Sequence, residues 1–369
     1  MLKLMSEQDP GCFGAHYGDA RQRFLAGRQR MAPSLVRARQ SFTHPLSGPQ
    51  QEPLCCDVLQ LGQRATPQRL LVLVSGTHGV EGFAGSAIQC DCLPLLESVL
   101  NANASLGVVM IHAFNPWGFA WLRRYDHEGI DLNRNFVDFA LPLPANPDYD
   151  RLHARLLAAD ALTPDTLAQL YPDMDLATFT AAVTGGQYRH RDGLFYGGNG
   201  PSWSRTILEE ITAAPAFARA ERIAVIDLHT GLGPYGYGEV INDHPVHSDG
   251  FRRALDWYGD NARSTELGES VSSRKQGLLD YHWHDVIQAR GCFVTLEFGS
   301  FDSRRLLTAL INEQVLHNRL SESGTVRDID DETIQALKRF FCPDERSWQQ
   351  QVLFRGRQVT DLALRGLLA

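Results

Sequence analysis

Four short runs of apolar, largely β-branched residues constrain this chain most: residues 69–75 (RLLVLVS), 107–113 (GVVMIHA), 223–228 (IAVIDL) and 292–298 (CFVTLEF). Each is too short for a stable helix and lacks the alternation of a strand with one wet face. They are therefore expected to be strands covered on both faces of a parallel sheet. Longer stretches with helical spacing lie between and around them, at 83–100, 149–159, 165–183, 203–213, 247–261, 303–318 and 331–341. Segments 54–61 and 238–242 read as further strands, the first at an edge or half-exposed. Such alternation predicts a three-layer α/β/α fold around a mixed, largely parallel central sheet. No linker interrupts the pattern, so residues 1–369 are expected to form one domain.

A chain of 369 residues can bury a large core without a structural metal, so a metal site here is read as functional first. The formal charge of −8 argues against a nucleic-acid partner, though local arginines can still meet a small anion. No run reaches the roughly 18 apolar residues of a membrane span, so no membrane partner is expected. The N-terminal segment lacks the apolar stretch of a signal peptide. Seven cysteines without a CxxC pair fit reduced thiols in a cytoplasmic protein. Cys90 and Cys92 fall in an apolar helical pattern and are expected to be buried packing.

Chemistry-bearing residues gather at the ends of the apolar strands, where functional groups of open α/β sheets collect. Ser75-Gly-Thr-His78-Gly-Val-Glu81-Gly82 follows the first strand. A tight turn can aim His78 and Glu81 at one point, yet such a pair alone is common in ordinary turns. Asp227-Leu-His229-Thr-Gly closes the third strand, placing His229 at the same crevice, with Asp227 able to orient its ring. Glu297 interrupts the fourth strand; a buried carboxylate needs a partner, either an arginine or a water that it deprotonates. Arg123-Arg124-Tyr125 and Asp131-Leu-Asn133-Arg134-Asn-Phe136 form an electropositive patch suited to a planar carboxylate. A glycine-rich segment, residues 185–201 (GGQYRHRDGLFYGGNGP), is a loop, and the aromatics in and beside it favour order near the site.

In order and residue type, these motifs resemble the zinc carboxypeptidase superfamily, with its HxxE, Arg, Asn-Arg, His and Glu. The Arg-Tyr ahead of DLNR and the histidine in DLH also resemble the aspartoacylase and succinylglutamate desuccinylase branch. GLFYGG and PSWS resemble an orphan carboxypeptidase-like branch. The resemblance implies one Zn2+ ion on His78, Glu81 and His229, with Glu297 as the general base. It implies Arg124 as oxyanion arginine, with Arg123 as a substitute, and Asn133 and Arg134 as holders of a substrate carboxylate. It predicts that the three ligand atoms lie within about 3–3.5 Å of one another. Cobalt, nickel or manganese suit such ligands as well. The implied activity is hydrolysis of an amide beside a free carboxylate, in a small peptide or an N-acyl amino acid. A non-catalytic binding protein on the same fold is the rival. One departure stands out. Carboxypeptidases carry a tyrosine ahead of the glutamate, and Tyr281 lies at a different spacing, so that role is not carried over. His282 and His284 either shape a pocket or end a surface helix.

Overall fold

The computed structural model describes residues 9–273 and 275–369. Eight strands form one sheet: β1 Val36–Ser47, β2 Pro53–Gly62, β3 Arg69–Ser75, β4 Leu106–His112, β5 Arg222–Gly231, β6 Gly238–Asn242, β7 Ala262–Ser264 and β8 Gly291–Gly299. Their order is β1-β2-β4-β3-β5-β8-β6-β7. The centre, β4-β3-β5-β8, is parallel, while β1, β2 and β6 join antiparallel neighbours.

Both faces of the central strands are apolar. Leu71 and Leu73 of β3 join one hydrophobic cluster, with Leu96, Val352 and Phe341 from the helices Gly82–Ala102, Arg346–Leu368 and Glu332–Phe341. Leu70, Val72 and Val74 join the other, with Leu208, Phe217 and Trp283. Alternate side chains of one strand thus feed two helical layers, which is why these strands read as unbroken apolar runs. The three-layer mixed architecture is the expected one.

Several elements differ from the sequence expectation. The helix expected over 165–183 is broken into a turn at Leu167–Leu170 and a helix at Leu176–Thr184. Pro172 interrupts the helical hydrogen bonding, and Asp175 caps the second piece on the Thr178 amide. Strand β1 escaped notice because it is a polar, largely exposed edge containing Pro45. The sequence pattern gives no sign of the helices Tyr17–Arg30 and Arg346–Leu368, while His282 and His284 fall in the helix Asp280–Ile287, in line with the helix alternative. Cys90 and Cys92 lie in the helix Gly82–Ala102, Cys92 fully buried and Cys90 partly so. No described helix is long and apolar enough to cross a membrane.

Candidate active site

The parallel register brings the motifs together. Ser75 of β3 pairs with Leu228 of β5, so His229 emerges beside the turn that carries His78. His229 in turn pairs with Glu297 of β8. The turn after β3 needs a left-handed residue, supplied by Gly76 at φ +73°. His78, Glu81 and His229 are all buried, at 3%, 1% and 3% exposure.

Their inner atoms converge. His78 Nδ1 lies 2.9 Å from Glu81 Oε1 and 3.1 Å from His229 Nδ1. His229 Nδ1 is 3.2 Å from Glu81 Oε2. The outer ring nitrogens are committed elsewhere: His78 Nε2 meets Asp131 Oδ1 at 3.1 Å, and His229 Nε2 meets Asp227 Oδ2 at 2.7 Å. Carboxylates on the outer nitrogens fix each ring and leave Nδ1 facing inward, the arrangement of metal-binding histidines. Asp227 is itself held by the Thr77 hydroxyl at 2.9 Å. Glu81, Asp131 and Asp227 set three carboxylates around the two rings, with Arg124 paired to Glu81 and Asp131, so the ligand atoms meet where a cation is favoured. Burial opposes a proton on His229, but Asp227 and Glu81 hold its pKa well above the usual value. The site draws positive charge to the place where the three ligand atoms meet. These residues fit a metal ion.

A second trio, His153, His190 and Asp192, also has atoms within 4.8 Å of one another. It lies at the surface, its two rings stack at 3.9 Å, and His190 Nε2 already bonds Asp150 at 2.8 Å. Only the buried trio has every inner atom aimed at a common centre.

The two neighbouring arginines separate cleanly. Arg124 sits on the site, with Nη1 2.7 Å from Glu81 Oε1 and Nε 3.0 Å from Asp131 Oδ2. Arg123 turns the other way, into a buried ion pair with Glu313 at 2.9 Å and a bond to Gln314 at 2.8 Å. Arg123 is therefore no substitute for Arg124. Arg123→Leu should lower the unfolding free energy by about 3 kcal/mol, the low end for breaking a buried pair. The low end applies because Arg327 still reaches Glu313 at 2.7 Å. Denaturant titration checks the loss; a change below about 1 kcal/mol, or a weakened metal site, would contradict this assignment.

No described arginine pairs with Glu297; Arg124, which lines the same cavity, is paired with Glu81 and Asp131. Its Oε1 accepts the Leu232 amide at 2.9 Å. Burial, and then the charge of Glu81, push its pKa upward. Arg134 is buried, donates to Thr184 O at 2.8 Å and to Asn133 O, feels the charge of Asp131, and makes no ion pair within contact distance among the described residues. Asn133 Oδ1 accepts the Leu279 amide at 2.8 Å, which fixes its side chain.

The glycine-rich loop is built against this arginine. A side chain at Gly186, where φ is +92°, would strike Arg134 Cδ at 2.7 Å. Tyr188 donates its hydroxyl to Arg134 O at 2.7 Å. Phe195 lies over Arg124 and Arg134, its ring centre 5.0 and 5.6 Å from the two guanidinium carbons.

Asp131 was the functional residue missed in the sequence. Its contact with His78 spans 53 positions, and only its place in DLNR beside Asn133 and Arg134 could have marked it. Tyr281, His282 and His284 stay outside the cavity that these groups line. Tyr281 bonds Lys275 O at 3.2 Å, His282 meets the Thr212 hydroxyl at 3.0 Å, and His284 stacks on His244 at 3.9 Å.

Fold and site together define an α/β protein with a candidate mononuclear metal centre at the carboxyl ends of parallel strands. The chain belongs to the family described as "Protein of unknown function (DUF2817)", which it matches over residues 13–355. A search of curated proteins returns no match. The structure is similar to carboxypeptidase A from Helicoverpa armigera: 12% identity, 92% of this chain and 78% of that one covered, TM-score 0.48. It is also similar to an aspartoacylase family protein from Mesorhizobium loti, at 16% identity, 79% and 68% coverage and TM-score 0.39. A succinylglutamate desuccinylase from Silicibacter sp. TM1040 aligns at 11% identity, 80% and 69% coverage and TM-score 0.40. These are the groups that the motifs resemble. At such scores they carry no functional weight, which rests on the geometry of the site itself.

Proposed function

We propose that this protein is a zinc-dependent hydrolase of carboxypeptidase type that cleaves an amide next to a free carboxylate. One observation carries the reading. A single cavity of about 570 Å³ is lined by the buried trio, by Glu297 and by Arg134, neither of which makes an ion pair within contact distance among the described residues. That volume suits a dipeptide or an N-acyl amino acid.

Zinc on His78, Glu81 and His229 supplies Lewis acidity, lowering the pKa of water and polarising a carbonyl. The protein's own groups do the rest. Arg134 and the Asn133 amide grip the substrate carboxylate and fix which amide faces the trio. Glu297 takes a proton from the attacking water on the oxygen not held by Leu232, and the water oxygen adds to the carbonyl carbon. Arg124 steadies the charge on the former carbonyl oxygen. Its Nη2 lies 2.8 Å from His78 Nε2, where two N–H groups cannot both donate. When that nitrogen carries the proton shared with Asp131, Nη2 is free for substrate. Glu297 then passes its proton to the amide nitrogen, the C–N bond breaks, and the remaining hydroxyl proton of the new acid passes to the released amine, so that a carboxylate and an ammonium leave.

The carboxylate anchor is testable. Losing one charged partner in a shielded pocket costs about 1.5–3 kcal/mol. Substrates with a free carboxylate are therefore expected to exceed their amidated analogues at least about tenfold in kcat/KM. Arg134→Ala should erase most of that preference and leave zinc bound. Equal or better turnover of amidated substrates, unaffected by the substitution, would remove the anchor.

A further inference from the structure

The cavity around the trio has two unlike sides. Near Arg134 it is polar, with Asp243 and Lys275 both within range of that guanidinium's charge. Another part of its lining is largely apolar. The helix Leu176–Thr184 presents Leu176, Ala177, Thr180, Ala181 and Thr184, spaced as one helical face, and turns Phe179, Ala182 and Val183 into the core. Leu306 and Leu310 of the helix Ser303–Ser323 line the same cavity, with Leu232 and Phe341.

The position of this wall relative to the reacting groups follows from three contacts. Thr184 O accepts Arg134 Nη2 at 2.8 Å, so this helix ends at the carboxylate anchor. Ala177, seven residues earlier, lies about 10 Å along the axis, beyond the reach of the anchor. Leu232 donates its amide to Glu297 at 2.9 Å, and Phe341 lies 3.0 Å from where a side chain on Gly231 would start. Leu232 and Phe341 thus set an apolar lining beside the general base, while the helix Leu176–Thr184 touches Arg134 at its Thr184 end and carries Ala181 and Ala177 progressively further from it. The small side chains of Ala177 and Ala181 leave open space along it.

We infer that this wall is an acyl-binding lobe, so that the substrate is an amide with an apolar alkyl or aryl acyl half and an amine half bearing a free carboxylate. The inference rests on the amide-hydrolase reading above. With the carboxylate held at Arg134 and the amide beside Glu297, the apolar lining next to the reacting carbonyl is that of Leu232 and Phe341, with Leu306 and Leu310 in the same cavity. Each methylene buried there raises the specificity constant by up to about fourfold.

The test compares N-acetyl-, N-butyryl-, N-hexanoyl- and N-succinyl-alanine with leucyl-alanine on the zinc-loaded full chain. Binding of the same compounds to zinc-loaded Glu297→Gln is measured by calorimetry. The expected kcat/KM rises at least about tenfold from acetyl to hexanoyl, with succinyl no better than acetyl. Ala177→Phe fills the lobe and should bring the hexanoyl-to-acetyl ratio below about threefold, with Ala181→Leu as a milder second variant. A leucyl-alanine rate above the hexanoyl rate supports the lobe and identifies its occupant as the side chain of a preceding residue. Turnover without acyl preference, or preference for succinyl, overturns the lobe and leaves the hydrolase reading standing. Tenfold tighter binding of hexanoyl without turnover of any compound supports the lobe and overturns the hydrolase reading.

Discussion

Glu297→Gln is expected to lower turnover by about 10²–10⁴ while zinc content stays at the level of the unsubstituted protein. The side chain keeps its size, and its amide oxygen can still accept the Leu232 N–H that Glu297 holds at 2.9 Å. Only the capacity to take a proton is lost. Glu297 stands apart from the three converging ligand atoms, which is why metal retention is expected alongside the loss of rate. Single-turnover kinetics with metal analysis of the same sample separates the roles. Loss of zinc would make Glu297 a ligand, and an unchanged rate would mean that another group deprotonates the water.

Asp131→Asn should weaken zinc binding by about 10–100-fold, the usual cost of removing a carboxylate behind a metal-binding imidazole. Asp131 does two things at once, meeting His78 Nε2 at 3.1 Å and Arg124 Nε at 3.0 Å. Burial works against its charge, but Arg124 and His78 hold its pKa well below the usual carboxylate range. The neutral amide keeps the shape and gives up that charge, so His78 becomes a poorer donor and Arg124 loses an ion-pair partner. Competition with a chelator measures the affinity, and thermal unfolding without metal monitors the fold. Unchanged affinity would mean that His78 does not hold the ion through Nδ1.

The parts of the fold legible in the sequence were those whose burial leaves a one-dimensional trace. Strands such as RLLVLVS are covered on both faces, so nearly every position must be apolar. Strand β1 carries VRARQSFTHPLS because most of it faces water at an edge, and polarity there erases the strand pattern. The break before Leu176 was marked by Pro172, whose effect the flanking helical periodicity concealed. At the site, His78, Glu81, His229 and Glu297 were legible because polar residues ending apolar strands are costly without a purpose. Which of two adjacent arginines faces the site was not, since Arg123 is claimed by Glu313, 190 positions later. Partnerships of that kind belong to tertiary packing, and local sequence holds no record of them.

The central claim is that one zinc ion on His78, Glu81 and His229 is required for amide hydrolysis. Titrating zinc into chelator-stripped protein while following hydrolysis of an N-acyl amino acid tests it in a single curve. Negligible activity is expected without metal, followed by a linear rise that breaks sharply at one zinc per chain. A rate independent of added zinc, or no hydrolysis at saturation across alkyl- and aryl-acyl substrates, would contradict it.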